Sequence, residues 1–268
     1  MTVATVARPT RAVIVAAGLG KRLAPYTDEM PKCLVPVRGR PMLSRALDAF
    51  RAEGLSDFVV VRGYRADVLE RRRGELGPGV RFVDNRDYQQ NNILQSLFRA
   101  DADLDGPFVF SYADIVFAPE VVTALMAAPG DICLVVDRRF ADLYQGRTLH
   151  PLSEAEVCAV GPDGAVALVG KRSLPPADAT GEFIGLAKLS AAGAAAFTAT
   201  FRRLAADRAG GDDRPFQRAA TWQNAFVTDL LQELIDGGVR VTPVFIEGRW
   251  REIDTVQDLE RAEATVDW

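Results

Sequence analysis

The sequence is poor in the residues on which many catalytic sites are built. It holds one histidine, His150, and three cysteines, Cys33, Cys133 and Cys158. A single histidine excludes any histidine metal cluster, and a Ser-His-Asp triad would have to rest on that one residue. Three widely spaced cysteines make neither a disulfide framework nor a zinc pattern, and unpaired thiols fit a reducing cytoplasm. For Cys33 the simplest reading is packing beneath a loop. No apolar run approaches the roughly 20 residues needed to cross a bilayer. The first ten residues, MTVATVARPT, lack the charged start and long apolar stretch of a signal peptide. We read residues 1–10 as a flexible leader. Positive charge is not in excess either. The 32 Lys and Arg face 36 Asp and Glu, a net charge of -4, which argues against general nucleic-acid binding.

What is present supports a large core. Hydrophobic residues make up 48% of the 268, enough for one α/β domain over residues 11–268. Residues 12–16 are a short apolar run of the kind buried on both faces of a sheet. Pro41 opens a helix whose apolar face is Met42, Leu43, Ala46, Leu47 and Phe50, and Gly54 closes it. Strands follow at 58–61 and 80–84, with a polar helix at 67–73 between them. A helix over 92–100 and strands at 108–112 and 132–136 continue the alternation. This order predicts an α/β, Rossmann-like, doubly wound and mostly parallel sheet with right-handed crossovers. Sites in such sheets form outside the carboxyl ends of the strands. From about 137 to 190 the texture changes to short β-like pieces at 157–160, 165–169 and 183–189. We read this stretch as an antiparallel insertion, a lid or acceptor pocket. A helix at 191–206, a Gly- and Asp-rich mobile segment at 209–218, a helix at 225–234 and a strand at 239–246 follow.

Residues 16–34, AAGLGKRLAPYTDEMPKCL, are the most informative stretch. Two glycines let backbone N–H groups approach phosphate oxygens closely. Lys21, Arg22 and Lys32 bring positive charge to the same loop. Pro31 fixes its own φ and disfavours helix at Met30, so Lys32 sits on a stiffened, extended segment. Two better-known glycine loops do not fit. A P-loop needs Gly and Ser or Thr where Val15 and Arg22 stand, and the dinucleotide fingerprint meets Leu23 where its third Gly belongs.

The longer pattern G-x-G-x-R-L-x-P-x-T-x-x-x-P-K-x-L runs from Gly18 through Arg22, Leu23, Pro25, Thr27, Pro31 and Lys32 to Leu34. It resembles the signature of the nucleoside-triphosphate transferases that make activated head groups and sugars. The resemblance implies that Ala16, Ala17, Gly18, Leu19, Gly20 and Lys21 wrap a nucleotide. It implies that Arg22 faces the departing pyrophosphate and that Lys32 stabilises charge on the α-phosphate. Asp114 lies just past the strand PFVFSY, and Asp254 just past Arg251-Glu252-Ile253, where Thr255 and Asp258 have capping-box spacing. Either carboxylate alone reads as a turn or cap. The resemblance makes them a pair holding Mg²⁺, an ion that usually takes one or two carboxylates when it bridges phosphates. The commoner family pattern has Gly before the first Asp; Ala113 stands there in this sequence.

Three further stretches, YQQNNILQSL at 88–97, GEFIGLAKLS at 181–190 and WREIDTVQDLERA at 250–262, look more like the phosphocholine and phosphonate cytidylyltransferases than the hexose-1-phosphate enzymes. That implies CTP as donor and a small phosphorylated or phosphonate head group as acceptor. Asn91, Asn92 and Ser96 either read the nucleobase or brace the loop that does; a polar helix cap is the alternative. Tyr112, Tyr144, Phe183 and Trp222 are candidates for an aromatic cage around a choline, or are core residues. Arg138, Arg139, Arg147, Lys171 and Arg172 suit an acceptor with an extra carboxylate, or are surface charges. Glu182 contacts an acceptor amine or hydroxyl, or pairs with an arginine. We lean towards a phosphonate acceptor. The rivals are a sugar-1-phosphate nucleotidylyltransferase using another triphosphate, a catalytically silent nucleotide-binding relative, and a Rossmann oxidoreductase. A homodimer stays open as the assembly.

Overall fold

The computed structural model describes residues 8–209 and 214–268. Residues 1–7 of the expected leader and 210–213 of the expected mobile segment lie outside them. The chain is already tied down at Thr10, whose carbonyl accepts from the N–H groups of Ser56 and Asp57. Strand β1 (Arg11–Ala16) follows. Val13 and Val15 face one core, while Ala12, Ile14 and Ala16 face another. The strand is apolar throughout because both faces are covered.

A two-strand hairpin, β2 (Pro36–Val37) and β3 (Arg40–Pro41), leads into α1 (Met42–Ala52). The stripe of Leu43, Ala46, Leu47 and Phe50 on α1 fills the second core. Next come β4 (Asp57–Arg62), α2 (Ala66–Arg71), β5 (Val80–Asp84) and α3 (Ile93–Leu97). Strand β6 (Phe108–Tyr112) is followed by a short β7 (Ile115–Phe117), α4 (Pro119–Ala127) and β8 (Ile132–Asp137). The second half holds α5 (Phe140–Tyr144), β9 (Glu156–Val160), β10 (Val166–Lys171) and β11 (Gly181–Leu189). It ends with α6 (Ala191–Asp207), α7 (Val227–Asp236), β12 (Thr242–Ile246), β13 (Trp250–Glu252) and α8 (Val256–Thr265). Among the described residues no helix is long and apolar enough to cross a membrane.

Nine strands of the described chain form one sheet, ordered β10-β9-β11-β6-β1-β4-β5, with β8 on β11 and β12 on β8. Strands β6, β1, β4 and β5 pair in parallel, as do β8 and β12. Residues from α3, α6 and α7 cover one face, and residues from α1 and α4 the other. The antiparallel strands expected from 137–190 are present, and they extend the main sheet: β11 pairs antiparallel with β6, β8 and β9. A bulge makes this triple pairing geometrically workable. The β11–β8 register shifts between Phe183 and Ala187, and Gly185 takes φ 81 in between. Only glycine suits that backbone. A Cβ there would also stand 2.1 Å from Cδ2 of Tyr112.

A third, smaller core ties the chain's end to its beginning. Leu23, Val35 and Val37 pack there with Val116, Ile253 and Leu259. Strand β13 pairs antiparallel with β7, and the Ile253 N–H donates to the Asp114 carbonyl at 2.9 Å. Residues about 140 apart in sequence thus meet beside the end of β1.

Candidate active site

The loop after β1 is shaped by two glycines with different roles. Gly20 has φ 63, and a Cβ on it would lie 3.1 Å from both Lys32 Cβ and Thr27 Cγ2. The Thr27 hydroxyl donates to the Gly20 carbonyl at 2.9 Å and so holds the loop's turn closed. Gly18 is open: among the described residues a Cβ there would meet nothing within 4 Å. Leu23 is fully buried in the third core and turns the loop back over the sheet. Pro31 is extended as expected (φ -69, ψ 147), whereas Lys32 itself begins a single 3₁₀ turn. Cys33 lies buried below it, where burial pushes its thiol up to about 12. That is an inert, packing cysteine.

Lys32 is the centre of the constellation. Its ammonium donates to Asp114 Oδ2 at 2.8 Å and also to Asp254 Oδ1. The other oxygen of Asp254 accepts from the Arg22 guanidinium at 2.5 Å and faces His150 Nδ1 at 2.9 Å. At 3.5 Å the Arg22 guanidinium only abuts the imidazole. Asp254 is aimed by the start of α8. Its N–H and that of Thr255 donate to Asp258 Oδ2, and Thr255 Oγ1 caps the Asp258 N–H. Burial alone would lower the Lys32 pKa; the charges of Asp114 and Asp254 outweigh it and hold the pKa above the ordinary lysine value. Burial would raise the pKa of Asp254, but Lys32, His150 and Arg22 hold it well below the usual carboxylate range.

These groups open on one cavity of about 440 Å³, with Gly18 to Arg22 on its rim and Lys32, Asp114 and Asp254 in its wall. Asn92, Tyr112, Lys171 and Glu182 line it too. Two carboxylates converging on one cation are a hard-oxygen donor set that fits Mg²⁺, and the Asp114 side chain is 32% exposed.

The comparisons with known proteins decide the family. Residues 12–159 match the MobA-like NTP transferase domain. The chain belongs to that family. The transferase is 29% identical over 255 residues to the CTP:phosphoglutamine cytidylyltransferase of Campylobacter jejuni, covering 93% of this chain and 97% of that protein. It is 40% identical over 123 residues to the CMP-5'-(3-aminopropyl)phosphonate synthase of Streptomyces rubellomurinus. That match covers 45% of this chain and only 20% of the relative. The inositol-1-phosphate CTP transferase of T. maritima shares the fold, with a TM-score of 0.72, 20% identity, and 98% and 100% of the two chains covered.

The other residues of the transferase singled out from sequence divide between this cavity and the rest of the molecule. Ala17 is buried and its carbonyl accepts from the Tyr64 N–H, while Ala16 lines a side pocket of about 50 Å³ next to Cys33. Asn91 and Ser96 turn inward to Asn85, which donates to both at 2.9 and 2.8 Å. Asn92 caps α3 and holds the Asn224 carbonyl. Asn91 and Ser96 thus brace the loop from within, while Asn92 also lines the main cavity. Arg138 pairs with Glu247 on the surface, Arg139 with Asp142, and Arg172 with Glu154. Arg147 is buried between Glu252 and Asp258. Trp222 packs in the first core against Phe201 and Phe216. Of the expected acceptor residues, Tyr112, Lys171 and Glu182 face the main cavity; Tyr144 sits behind Glu182 and donates to it at 2.7 Å.

His150, Glu252 and Glu156 were not singled out as site residues by the sequence. His150 is the lone histidine and lies in a stretch with no periodic signal, so nothing local placed it under Asp254. Glu252 was legible in principle: Trp250, Glu252 and Asp254 alternate along one edge, and all three line the cavity.

Proposed function

We propose that this NTP transferase moves CMP from CTP to a small phosphonate or phosphate-monoester acceptor and releases pyrophosphate. The observation that carries the reading is the Lys32 ammonium held between Asp114 and Asp254 beside the glycine loop. Relatives named for CTP:phosphoglutamine and CMP-aminopropylphosphonate chemistry support CTP and an acceptor of this kind. The acceptor oxygen forms a bond to the α-phosphorus, the bond from that phosphorus to the bridging oxygen breaks, and pyrophosphate leaves with the electron pair. A phosphate monoester has its second pKa near ~6 and is already largely anionic at neutral pH. No histidine base is required.

The difficulty is gathering anions. The backbone at Gly18–Arg22 receives the triphosphate, Arg22 offsets charge on the departing pyrophosphate, and Lys32 offsets charge developing at the α-phosphate. Asp114 and Asp254 would hold Mg²⁺, which supplies further neutralisation of the phosphates when bound. The segment 137–190 contributes the acceptor side of the pocket through Glu156, Lys171 and Glu182. A donor and acceptor panel tests the reading: pyrophosphate release with CTP, UTP, dTTP and GTP against phosphonates, phosphocholine and hexose-1-phosphates. Release is expected with CTP and a small phosphonate or head-group phosphate. Release confined to hexose-1-phosphates would overturn it.

A further inference from the structure

The acceptor side of the cavity is built around buried carboxylates, and one of them is incomplete. Glu182 is 4% exposed and lines the cavity. Its Oε1 accepts from the Tyr144 hydroxyl at 2.7 Å. Among the described residues its Oε2 has no hydrogen-bond partner, although it is buried. A buried carboxylate oxygen without a donor costs free energy unless a ligand supplies one. Glu156 lines the same cavity, and its charge acts on Glu182. Its carboxylate is held by the Tyr112 hydroxyl at 3.0 Å. Both glutamates are thus positioned by tyrosines, which orient without neutralising. The cations nearby are shared with other acids: Lys171 sits across the ladder from Glu156 but also lies 3.6 Å from Glu154, and Arg147 is taken by Glu252 and Asp258.

The aromatic residues around this corner do not form an open cage. Lys171 stands 5.0 Å over the Phe226 ring. Tyr112 is packed edge-on against Phe110 and Phe183, and the Gly185 backbone lies against its ring. The Trp250 indole N–H donates to Asp137 at 2.7 Å.

We propose that Glu182, with Glu156 in the same cavity, is the specificity element for a hydrogen-bond-donating ammonium on the acceptor, so that the preferred acceptor is a short primary-amine phosphonate or phosphate monoester. This rests on the nucleotidyl-transfer reading above and names the substrate class within it. A primary ammonium donates to Glu182 Oε2 and balances the local charge. A hydroxyl donates without balancing it. A trimethylammonium carries charge but has no N–H to give. A second carboxylate is repelled, which reverses the sequence-based expectation of an acid-bearing acceptor.

The test compares kcat/KM, with CTP and Mg²⁺, for 2-aminoethylphosphonate, 2-hydroxyethylphosphonate, phosphocholine and phosphonoacetate. The aminoethyl acceptor is expected to lead the hydroxyethyl one by about tenfold or more, the worth of a charged buried hydrogen bond, and phosphonoacetate to be poorest. In Glu182→Gln, and in Glu156→Gln as a second variant, the amine-to-hydroxyl ratio should collapse towards one, with turnover of the hydroxyethyl acceptor showing that each variant is folded. Equal or better use of the hydroxyethyl, trimethylammonium or carboxylate acceptor by the unaltered protein would overturn the proposal, as would a ratio unchanged in both variants. Those results leave nucleotidyl transfer standing; no pyrophosphate release from any donor with any acceptor removes both.

Discussion

Lys32 and Arg22 illustrate how two cations in one loop differ in what they hold together. The Lys32 side chain is 13% exposed and bonds both carboxylates; that of Arg22 is 54% exposed and bonds one. Lys32→Ala should lose about a hundredfold or more in kcat. It should also lose about 3–5 kcal/mol of stability, because Asp254 is left buried without its ammonium. Arg22→Ala should lose rate with little change in stability, since its exposed pair is worth about 1 kcal/mol or less. Denaturant melts alongside steady-state kinetics check the contrast; equal stability losses would count against the central place given to Lys32. Both residues were legible because the glycine loop and Pro31 fix them by local backbone chemistry. The inward turn of Asn91 and Ser96 was not, because it depends on Asn85, which carries no signal until the chain folds around it.

At the scale of elements, the site depends on how α8 begins and how β11 bends. Thr255 and Asp258 form the reciprocal cap anticipated from their spacing, and the same Asp258 oxygen holds the Asp254 backbone. Thr255→Ala should therefore cost about 0.5–2 kcal/mol and also weaken turnover by loosening Asp254. An uncapped helix with unchanged kinetics would show that the cap does not position the carboxylate. Gly185→Ala meets a left-handed backbone and the Tyr112 ring together. It should destabilise by about 1–3 kcal/mol and raise the acceptor KM, measured with CTP saturating. Elements with strong local patterns, such as β1, α1 and β6, were readable from alternation, helical period and Pro41. The place of β11 in the sheet was not. Its partners β6, β8 and β9 are chosen by packing across the whole chain, and the bulge at Gly185 breaks the period-2 pattern on which a strand is read.

Across the whole molecule, the two sides of the cavity respond to pH in opposite ways. Burial and the charge of Glu252 push Glu182 up to about 8, and burial pushes Glu156 up to about 7, both from an ordinary value of 4.5. Between those limits the folded protein holds more protons than the unfolded chain, so stability falls as pH rises from 4.5 through 8. Asp254, held low by Lys32, contributes stability that is present above its ordinary 3.8 and lost as pH falls below it. The melting temperature of the free protein should therefore decline from about pH 5 to pH 8.5, and Glu182→Gln should flatten that decline. A profile rising across this range would contradict the buried, partly protonated acceptor corner. The parallel core was legible from the alternation of apolar runs. The convergence of residues 22, 32, 114 and 254 was legible only through the family pattern, and that of His150 not at all, because nothing local in sequence brings the chain's last helix to its first loop.

The most direct measurement is a crystal structure with CTP and Mg²⁺ bound. The expected result is a triphosphate seated on the backbone of Gly18–Arg22, its α-phosphate beside Lys32 and the metal on Asp114 and Asp254. A triphosphate bound away from that loop, with Lys32 still closed on its two carboxylates, would contradict the account.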